Sequence, residues 1–341
     1  MNKKNQAMEG QNYYRIKELN IENFPKGQIS EAWLHIINNG IGEPVRIPII
    51  IARGKEEGPV LGLNAALHGN ELNGIPVIQK LINDLNLEEL RGTIVGVLVA
   101  NVPGLLLEQR AFNDGVDLNR ISPGKRDGTQ SELYVYRLFE RIVKKFDYLI
   151  DLHTASFGRV NTYYIRADMS DEMSSRMARL QNPEIILNHT PIGITLRGRA
   201  AIHGIKTITI ELRDPHLFQR DVINDSLVGV RNILYDLKML PGEILCPADE
   251  ITLCDSSYWL YTDEGGILNV FPQLGQQLRK GDKIAAVKTI FGKTVKEYFC
   301  PEDGVVIGKS VNPINQSGSR ILHLGINTKK IPCITAQELV N

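Results

Sequence analysis

Between about residues 48 and 240, short continuous apolar runs (PIIIA, PVLGLNAAL, TIVGVLVAN, YLIDL, KTITIEL) alternate with helical-period segments over 75–85, 131–145 and 222–237. A strand that is apolar at consecutive positions is covered on both faces, and strands separated by amphipathic helices assemble into a sheet flanked by those helices. The expected fold is α/β, with a mixed, mainly parallel sheet and helices on both faces. In open sheets of this kind ligands collect beyond the carboxyl ends of the strands.

Near Leu240-Pro241-Gly242 this pattern stops. The remainder shows short strands between turn signals: Asp263-Glu264-Gly265-Gly266, Lys280-Gly281-Asp282, Phe291-Gly292-Lys293 and Pro301-Glu302-Asp303-Gly304. Such spacing predicts a small all-β module. With 341 residues the chain is long enough for two cores, and the expected division is a catalytic domain over 1–245 and a β-rich domain over 246–341.

Lys+Arg and Asp+Glu both number 39, so the chain has no net charge to attract nucleic acid or an anionic membrane. A small molecule or peptide is the expected partner, and a homo-oligomer is left open. The first twenty residues lack the apolar core of a secretory signal. The most apolar stretch, 93–107, contains Asn101 and Pro103 and is shorter than the roughly 20 residues that cross a bilayer. It reads as a buried strand with its following loop, and the chain as cytoplasmic. Cys246, Cys254, Cys300 and Cys333 include no Cys-x-x-Cys pair and read as reduced, buried thiols.

Three of the apolar runs lead to residues that bind metals or move protons. AALHGNELNG leaves its strand at His68, and Glu71 follows at what reads as a helix start; YLIDLHTAS ends its strand at His153. Two histidines and one carboxylate are the ligand set of a catalytic zinc, with one position left for water. KTITIEL carries Glu211 at its end, where a buried carboxylate is costly unless a charge or proton compensates it, so Glu211 reads as the general base. Taken singly, each residue has a structural explanation: a strand-end histidine bonded to backbone, or a helix-start acid favoured by the helix dipole. Their joint arrival at strand ends favours a site. Between Glu71 and His153, the loop NVPGLLLEQRAFNDGVDLNRISPG holds Arg110 and Arg120, where substrate contacts often lie. His-Glu-x-x-His, Gly-x-Ser-x-Gly and Gly-x-Gly-x-x-Gly are absent, and Gly292-Lys293-Thr294 fails as a P-loop because Val287 replaces its first glycine.

His-Gly-Asn-Glu at 68–71, Asp-Leu-Asn-Arg at 117–120, Asp-Leu-His at 151–153 and Ile-Glu-Leu at 210–212 resemble, in order and spacing, the succinylglutamate desuccinylase/aspartoacylase family of zinc carboxypeptidase-like hydrolases. The resemblance implies one zinc ion per chain on His68, Glu71 and His153, with water activation by Glu211. It also implies that Asn119 and Arg120 grip the substrate's free carboxylate and that Arg110 polarises the scissile carbonyl. The implied reaction is hydrolysis of a small N-acyl amino acid. Asp151, two residues before His153, shares its strand face and could orient that ligand. The tail resembles the barrel-sandwich hybrid fold of biotinyl and lipoyl modules; Lys293 stands where such modules display a modified lysine, but its flanks Gly292 and Thr294 lack the expected context, and a turn lysine is the expectation.

Two other functions use the same residues. A metallocarboxypeptidase would need the same metal, base and carboxylate anchor but an open groove instead of a narrow pocket. A non-catalytic zinc-binding protein would have no need to keep Glu211, Arg110 and Arg120 together. Selectors of the acyl group carry no motif, although Arg197, Arg199 and Arg213 lie near the Glu211 strand.

Overall fold

In a computed structural model of the chain, residues 13–156, 158–248 and 250–334 are described. Strands β1 (Tyr13–Ile16), β2 (Gln28–Asn38), β3 (Pro44–Arg53) and β4 (Glu56–Ala65) precede helix α1 (Gly74–Asn83), β5 (Arg91–Val97) and the short α2 (Val102–Leu106). Next come α3 (Gln130–Arg141), β6 (Tyr148–His153), β7 (Arg159–Asn161), β8 (Tyr163–Ala167), α4 (Glu172–Leu180) and β9 (Ile185–Asn188). The α/β part closes with α5 (Leu196–Ile202), β10 (Lys206–Leu212) and α6 (Arg220–Asp236). The described elements after it are all strands: β11 (Glu250–Tyr261), β12 (Gly266–Val270), β13 (Gln277–Leu278), β14 (Lys283–Lys288), β15 (Thr294–Phe299), β16 (Gly304–Ser310), β17 (Ile314–Asn315) and β18 (Arg320–Pro332).

A single mixed sheet of 14 strands runs through the molecule in the order β1-β2-β3-β5-β4-β6-β10-β8-β9-β11-β18-β16-β13, with β7 on β16. Its centre, β5-β4-β6-β10, is parallel, while β2-β3-β5 and β10-β8 pair antiparallel. The C-terminal strands join the same sheet, because β11 pairs parallel with β9 through Thr252 and Ile185. Strands β12, β14, β15 and β17 form a separate four-stranded sheet.

Strand alternation sorts the central residues between two cores. Ile150 and Leu152 of β6 and Ile208, Ile210 and Leu212 of β10 pack with Val77 of α1 and Val230 of α6. Leu149 packs on the opposite side with Leu138 of α3 and Leu196 of α5. Asp151 and His153 follow Leu149 at two-residue steps, so they share its face, as do Thr209 and Glu211 of the neighbouring strand.

Several boundaries differ from the sequence expectation. Helix α3 is fixed by a capping box in which Thr129 and Glu132 exchange side-chain and backbone hydrogen bonds, and it ends at Arg141 with Val143–Lys145 forming a separate tight turn. The helix expected to begin near Glu71 begins at Gly74, since the Glu71 carboxylate is drawn into the interior and its N–H closes a turn on the His68 carbonyl. The loop expected after β5 contains α2, capped by the Asn101 side chain, which accepts from the Gly104 N–H at 2.9 Å. No helix among the described residues is long and apolar enough to cross a membrane.

The expectation of four reduced thiols is corrected. Cys246, beyond α6, is paired with Cys333, beyond β18, as a disulfide with Cα atoms 6.3 Å apart, whereas Cys254 and Cys300 are free and buried. A separation of 87 residues conceals the pairing in the sequence; the sheet brings the two segments together at a spacing a disulfide can span. Thiol titration of protein denatured without reductant should find two free thiols per chain, rising to four after reduction; four before reduction would refute the pairing.

Candidate active site

The site lies where three adjacent parallel strands end. β4, β6 and β10 are neighbours in the sheet, and the β6–β10 register sets Glu211 beside His153. Beyond β4, Ala66 adopts a left-handed backbone with φ of 50°, turning the chain so that His68 and Glu71 come back over the strand ends. Gly69 makes that turn possible: a Cβ there would lie 2.0 Å from the Gly104 carbonyl carbon and 2.2 Å from the Leu105 nitrogen.

His68, Glu71 and His153 are all buried, and their ligand atoms converge. His68 Nδ1 is 3.1 Å from His153 Nδ1 and 2.8 Å from Glu71 Oε1, and His153 Nδ1 is 2.9 Å from Glu71 Oε2. Each imidazole places its other nitrogen on a carboxylate: His153 Nε2 lies 2.9 Å from Asp151 and His68 Nε2 3.1 Å from Asp117. Ionised carboxylates only accept, so the Nε2 atoms donate and, on neutral rings, both Nδ1 lone pairs face inward. Two lone pairs and a carboxylate directed at one point repel unless a cation stands among them. Separations near 3 Å also match the edges of a tetrahedral face around an ion bound at about 2.0–2.1 Å. The residues therefore fit a metal ion, held by three protein ligands.

The surroundings keep these groups in place. Glu71 accepts from Arg110 Nη1 at 3.0 Å, Ser156 Oγ at 2.8 Å and the Thr154 N–H at 3.1 Å. Burial opposes its charge, but His68 and His153 outweigh burial and hold the carboxyl well below its usual range. Burial likewise opposes the charge on Asp117, and His68 with Arg110 holds it far below the usual carboxylate range. Asp151 is anchored in turn by Asn64, which donates to it at 2.8 Å.

Every residue expected at the site lines one cavity of about 360 Å³: His68, Glu71, His153, Arg110, Asn119, Arg120 and Glu211. Arg110 is heavily engaged, donating to Asp117 through Nε and Nη2 at 3.0 and 2.9 Å and to Glu71 and Ser156 through Nη1, which leaves one N–H. The Asn119 carbonyl oxygen caps α5 by accepting from the Leu196 N–H at 2.8 Å, so its amide NH2 is the part left for a ligand. Arg120 is exposed and donates to the Asn119 backbone carbonyl at 2.8 Å. Glu211 accepts long contacts from Arg166 Nε at 3.4 Å and Asn161 at 3.5 Å, and the Tyr164 hydroxyl also interacts with it.

Of the other arginines near the Glu211 strand, Arg197 lines the cavity, Arg199 lies over the Phe139 ring, and Arg213 pairs with Asp221 and Glu184. Lys293 is exposed at the turn between β14 and β15. Asp117, Arg159, Arg166, Trp259 and Arg320 have no prominence in the sequence reading, yet Asp117 braces His68 and the other four line the cavity. Asp117 was within reach, as the first residue of the Asp-Leu-Asn-Arg motif; Trp259 and Arg320 come from strands far along the chain. The cavity is strongly positive. Burial, then Arg166 and Arg197, push His189 down to about 4, and burial followed by Arg166 pushes Arg197 down to about 10.

A family model described as the succinylglutamate desuccinylase/aspartoacylase catalytic domain matches residues 57–237. The N-alpha-acetyl-L-2,4-diaminobutyric acid deacetylase of Halomonas elongata is 24% identical over 278 residues, covering 78% of this chain and 81% of the relative. Among solved structures, the product-bound ectoine utilization protein EutE (DoeB) of Ruegeria pomeroyi superposes with a TM-score of 0.79 at 20% identity, covering 88% of this chain and 95% of that one. A succinylglutamate desuccinylase from Silicibacter sp. gives the same TM-score and identity, with 90% and 97% covered. These structures share the fold.

The brace behind His153 can be tested by metal affinity. Asp151→Asn removes one of the two oxygens shared between His153 and Asn64 and should weaken metal binding by roughly 10–100-fold in a chelator competition. Unaltered affinity would show that Asp151 does not orient the ligand.

Proposed function

We propose a function for a chain that belongs to the succinylglutamate desuccinylase/aspartoacylase family: zinc-dependent hydrolysis of the amide bond of a small N-acyl amino acid, releasing a carboxylic acid and a free amino acid. The observation that carries this reading is the convergence of two inward-facing Nδ1 atoms and a buried carboxylate in the same cavity as Glu211. A single zinc ion on His68, Glu71 and His153 would supply Lewis acidity toward the amide carbonyl and toward water.

The protein's own groups supply the rest. Glu211, contacted at long range by Arg166 and Asn161, accepts the proton of the attacking water and passes it to the departing amine nitrogen. Arg120, together with the free amide of Asn119, binds the α-carboxylate and sets the scissile bond over the metal ligands. Arg110 turns its remaining N–H toward the carbonyl oxygen as negative charge develops there. The small cavity supports a short acyl amino acid over a peptide, and the deacetylase activity in the name of the Halomonas relative supports the reaction class. In this reading residues 1–245 form the catalytic unit, and 246–341 a β-rich unit of barrel-sandwich type that supplies part of the cavity wall.

Screening N-acetyl, N-succinyl and N-formyl amino acids with and without a chelator tests the activity, and metal removal should abolish it. Glu211→Gln should lower kcat by at least about 100-fold on an accepted substrate while leaving the metal content unchanged. Undiminished turnover by that variant would remove Glu211 from its role, and activity persisting in fully metal-free protein would overturn the zinc mechanism.

A further inference from the structure

Asn73 lies two residues beyond Glu71, at the end of the turn that precedes α1, and is fully buried. Both N–H donors and the carbonyl oxygen of its amide are engaged. Nδ2 donates to the Leu212 carbonyl at 2.8 Å and to Gln219 Oε1 at 3.1 Å, and Oδ1 accepts from the Gln219 N–H at 2.9 Å. Leu212 directly follows Glu211 at the end of β10. One side chain therefore joins the turn that carries Glu71 to the strand end that carries the proton acceptor. Displacing a buried amide bonded at both ends is costly, because it leaves polar groups unpaired away from water.

The segment between β10 and α6 completes the connection. Gln219 Oε1 also accepts from the Asp214 N–H at 2.9 Å, and its Nε2 donates to the Asp214 carboxylate at 3.1 Å. The Arg213 carbonyl accepts from the N–H of Ala155, two residues after His153, at 2.7 Å, and the His216 N–H donates to the Asn70 carbonyl at 2.9 Å. The exits of β4, β6 and β10 are thus tied to one another beyond the strands. Arg213 and His216 both adopt left-handed backbone, with φ of 56° and 65°, a conformation that non-glycine residues keep only where their surroundings fix it. The Asn161 backbone interacts with Asp214, and the Asn161 side chain reaches Glu211 at 3.5 Å. Glu71 keeps its own hydrogen bonds to Arg110, Ser156 and the Thr154 N–H, so what Asn73 adds is the position of the β10 end relative to the ligands.

We propose that Asn73 and Gln219 form a latch that sets the distance between the metal ligands and Glu211, and that both are positioning residues for proton transfer. Neither lines the cavity, so neither is placed to touch a substrate or an ion there. The latch rests on the deacylase reading above, in which Glu211 accepts the proton, and adds to it how that base is aligned. A misplacement of about 1 Å is enough to lower turnover by roughly 100-fold, while the three ligands, with their separate supports, still bind the ion.

Asn73→Leu keeps a similar side-chain shape and removes all three hydrogen bonds. The variant and its parent are loaded with cobalt(II) and titrated with acetohydroxamate, which chelates a divalent ion and donates a hydrogen bond to a carboxylate beside it, and binding is followed by visible absorbance. Cobalt affinity should stay within about threefold of the parent, in contrast to the loss expected for Asp151→Asn. Acetohydroxamate should bind about tenfold or more weakly in the variant, and Asn73→Leu should have no further effect in a Glu211→Gln background. Hydroxamate affinity that Asn73→Leu leaves unchanged, or lowers equally in both backgrounds, would overturn the latch, as would a cobalt affinity reduced as far as by Asp151→Asn. On an acylated amino acid accepted in the screen above, the same substitution should lower kcat by roughly 10–100-fold with KM nearly unchanged; an effect confined to KM would also overturn it. If no compound in that screen is hydrolysed, the deacylase reading loses support, and the hydroxamate titration still decides the latch. Should Asn73→Leu fail to fold, Gln219→Met removes one partner of Asn73 and spares the bond to Leu212. Its hydroxamate affinity should fall by about threefold or more with Glu211 present and not with Glu211→Gln, and the same two contrary results would overturn the proposal.

Discussion

Two imidazole Nδ1 atoms 3.1 Å apart, facing each other beside a buried carboxylate, form an arrangement that neutral side chains cannot hold alone. Asp117 and Asp151 create it by occupying the opposite nitrogen of each ring, so that both lone pairs turn inward. Without an ion, a proton must relieve the repulsion. Burial discourages charge on His153, but Asp151 and Glu71 outweigh burial and hold its pKa well above the usual value. A metal cation satisfies all three donors together. The remaining architecture supports this geometry: parallel registry of β4, β6 and β10 brings the strand ends together, Asn64 fixes Asp151, and the turn at Ala66 and Gly69 delivers His68 and Glu71 over them.

The arginines fall into two groups with different physical roles. Arg110 forms close ion pairs with Glu71 and Asp117, whereas Arg166 makes only a long contact to Glu211. Arg159 and Arg320 are oriented by an indole that leaves their charge and donors intact. Charge pairing holds the acids near the histidines in a defined geometry, and Glu211 and Glu71 also partly offset the charge of Arg159. Arg166 combines both kinds of partner, lying over the Tyr164 ring at 5.2 Å as well as beside Glu211.

The strands and helices of the central α/β part were legible because continuous apolar runs and helical periods are local signals. Glu211 stood out for a related reason, as a carboxylate at the end of an apolar strand. Glu71 could be recognised by residue type, but its surroundings misled: an acid beside an apolar helical period resembles a helix start, whereas burial against Thr154 and Ser156 holds it in a turn before α1. The supporting role of Asp117 depends on a contact with a histidine 49 residues away, which no local pattern records. The Cys246–Cys333 pair was hidden for the same reason, since its segments meet only through the folded sheet.

By itself the sequence determined the α/β class, the all-strand character of the later part, and the residue types gathered at the strand ends. These follow from apolar period and from the cost of burying charge, which operate over a few neighbouring residues. Only the tertiary structure decided which nitrogen of each histidine turns toward Glu71, which acids hold the other nitrogen, and which arginines line the cavity. It also brought Trp259 and Arg320 from the C-terminal strands to a cavity whose ligands come from residues 68 to 153. Those properties depend on register and on contacts between distant segments, and they come into existence only when the strands are hydrogen-bonded side by side.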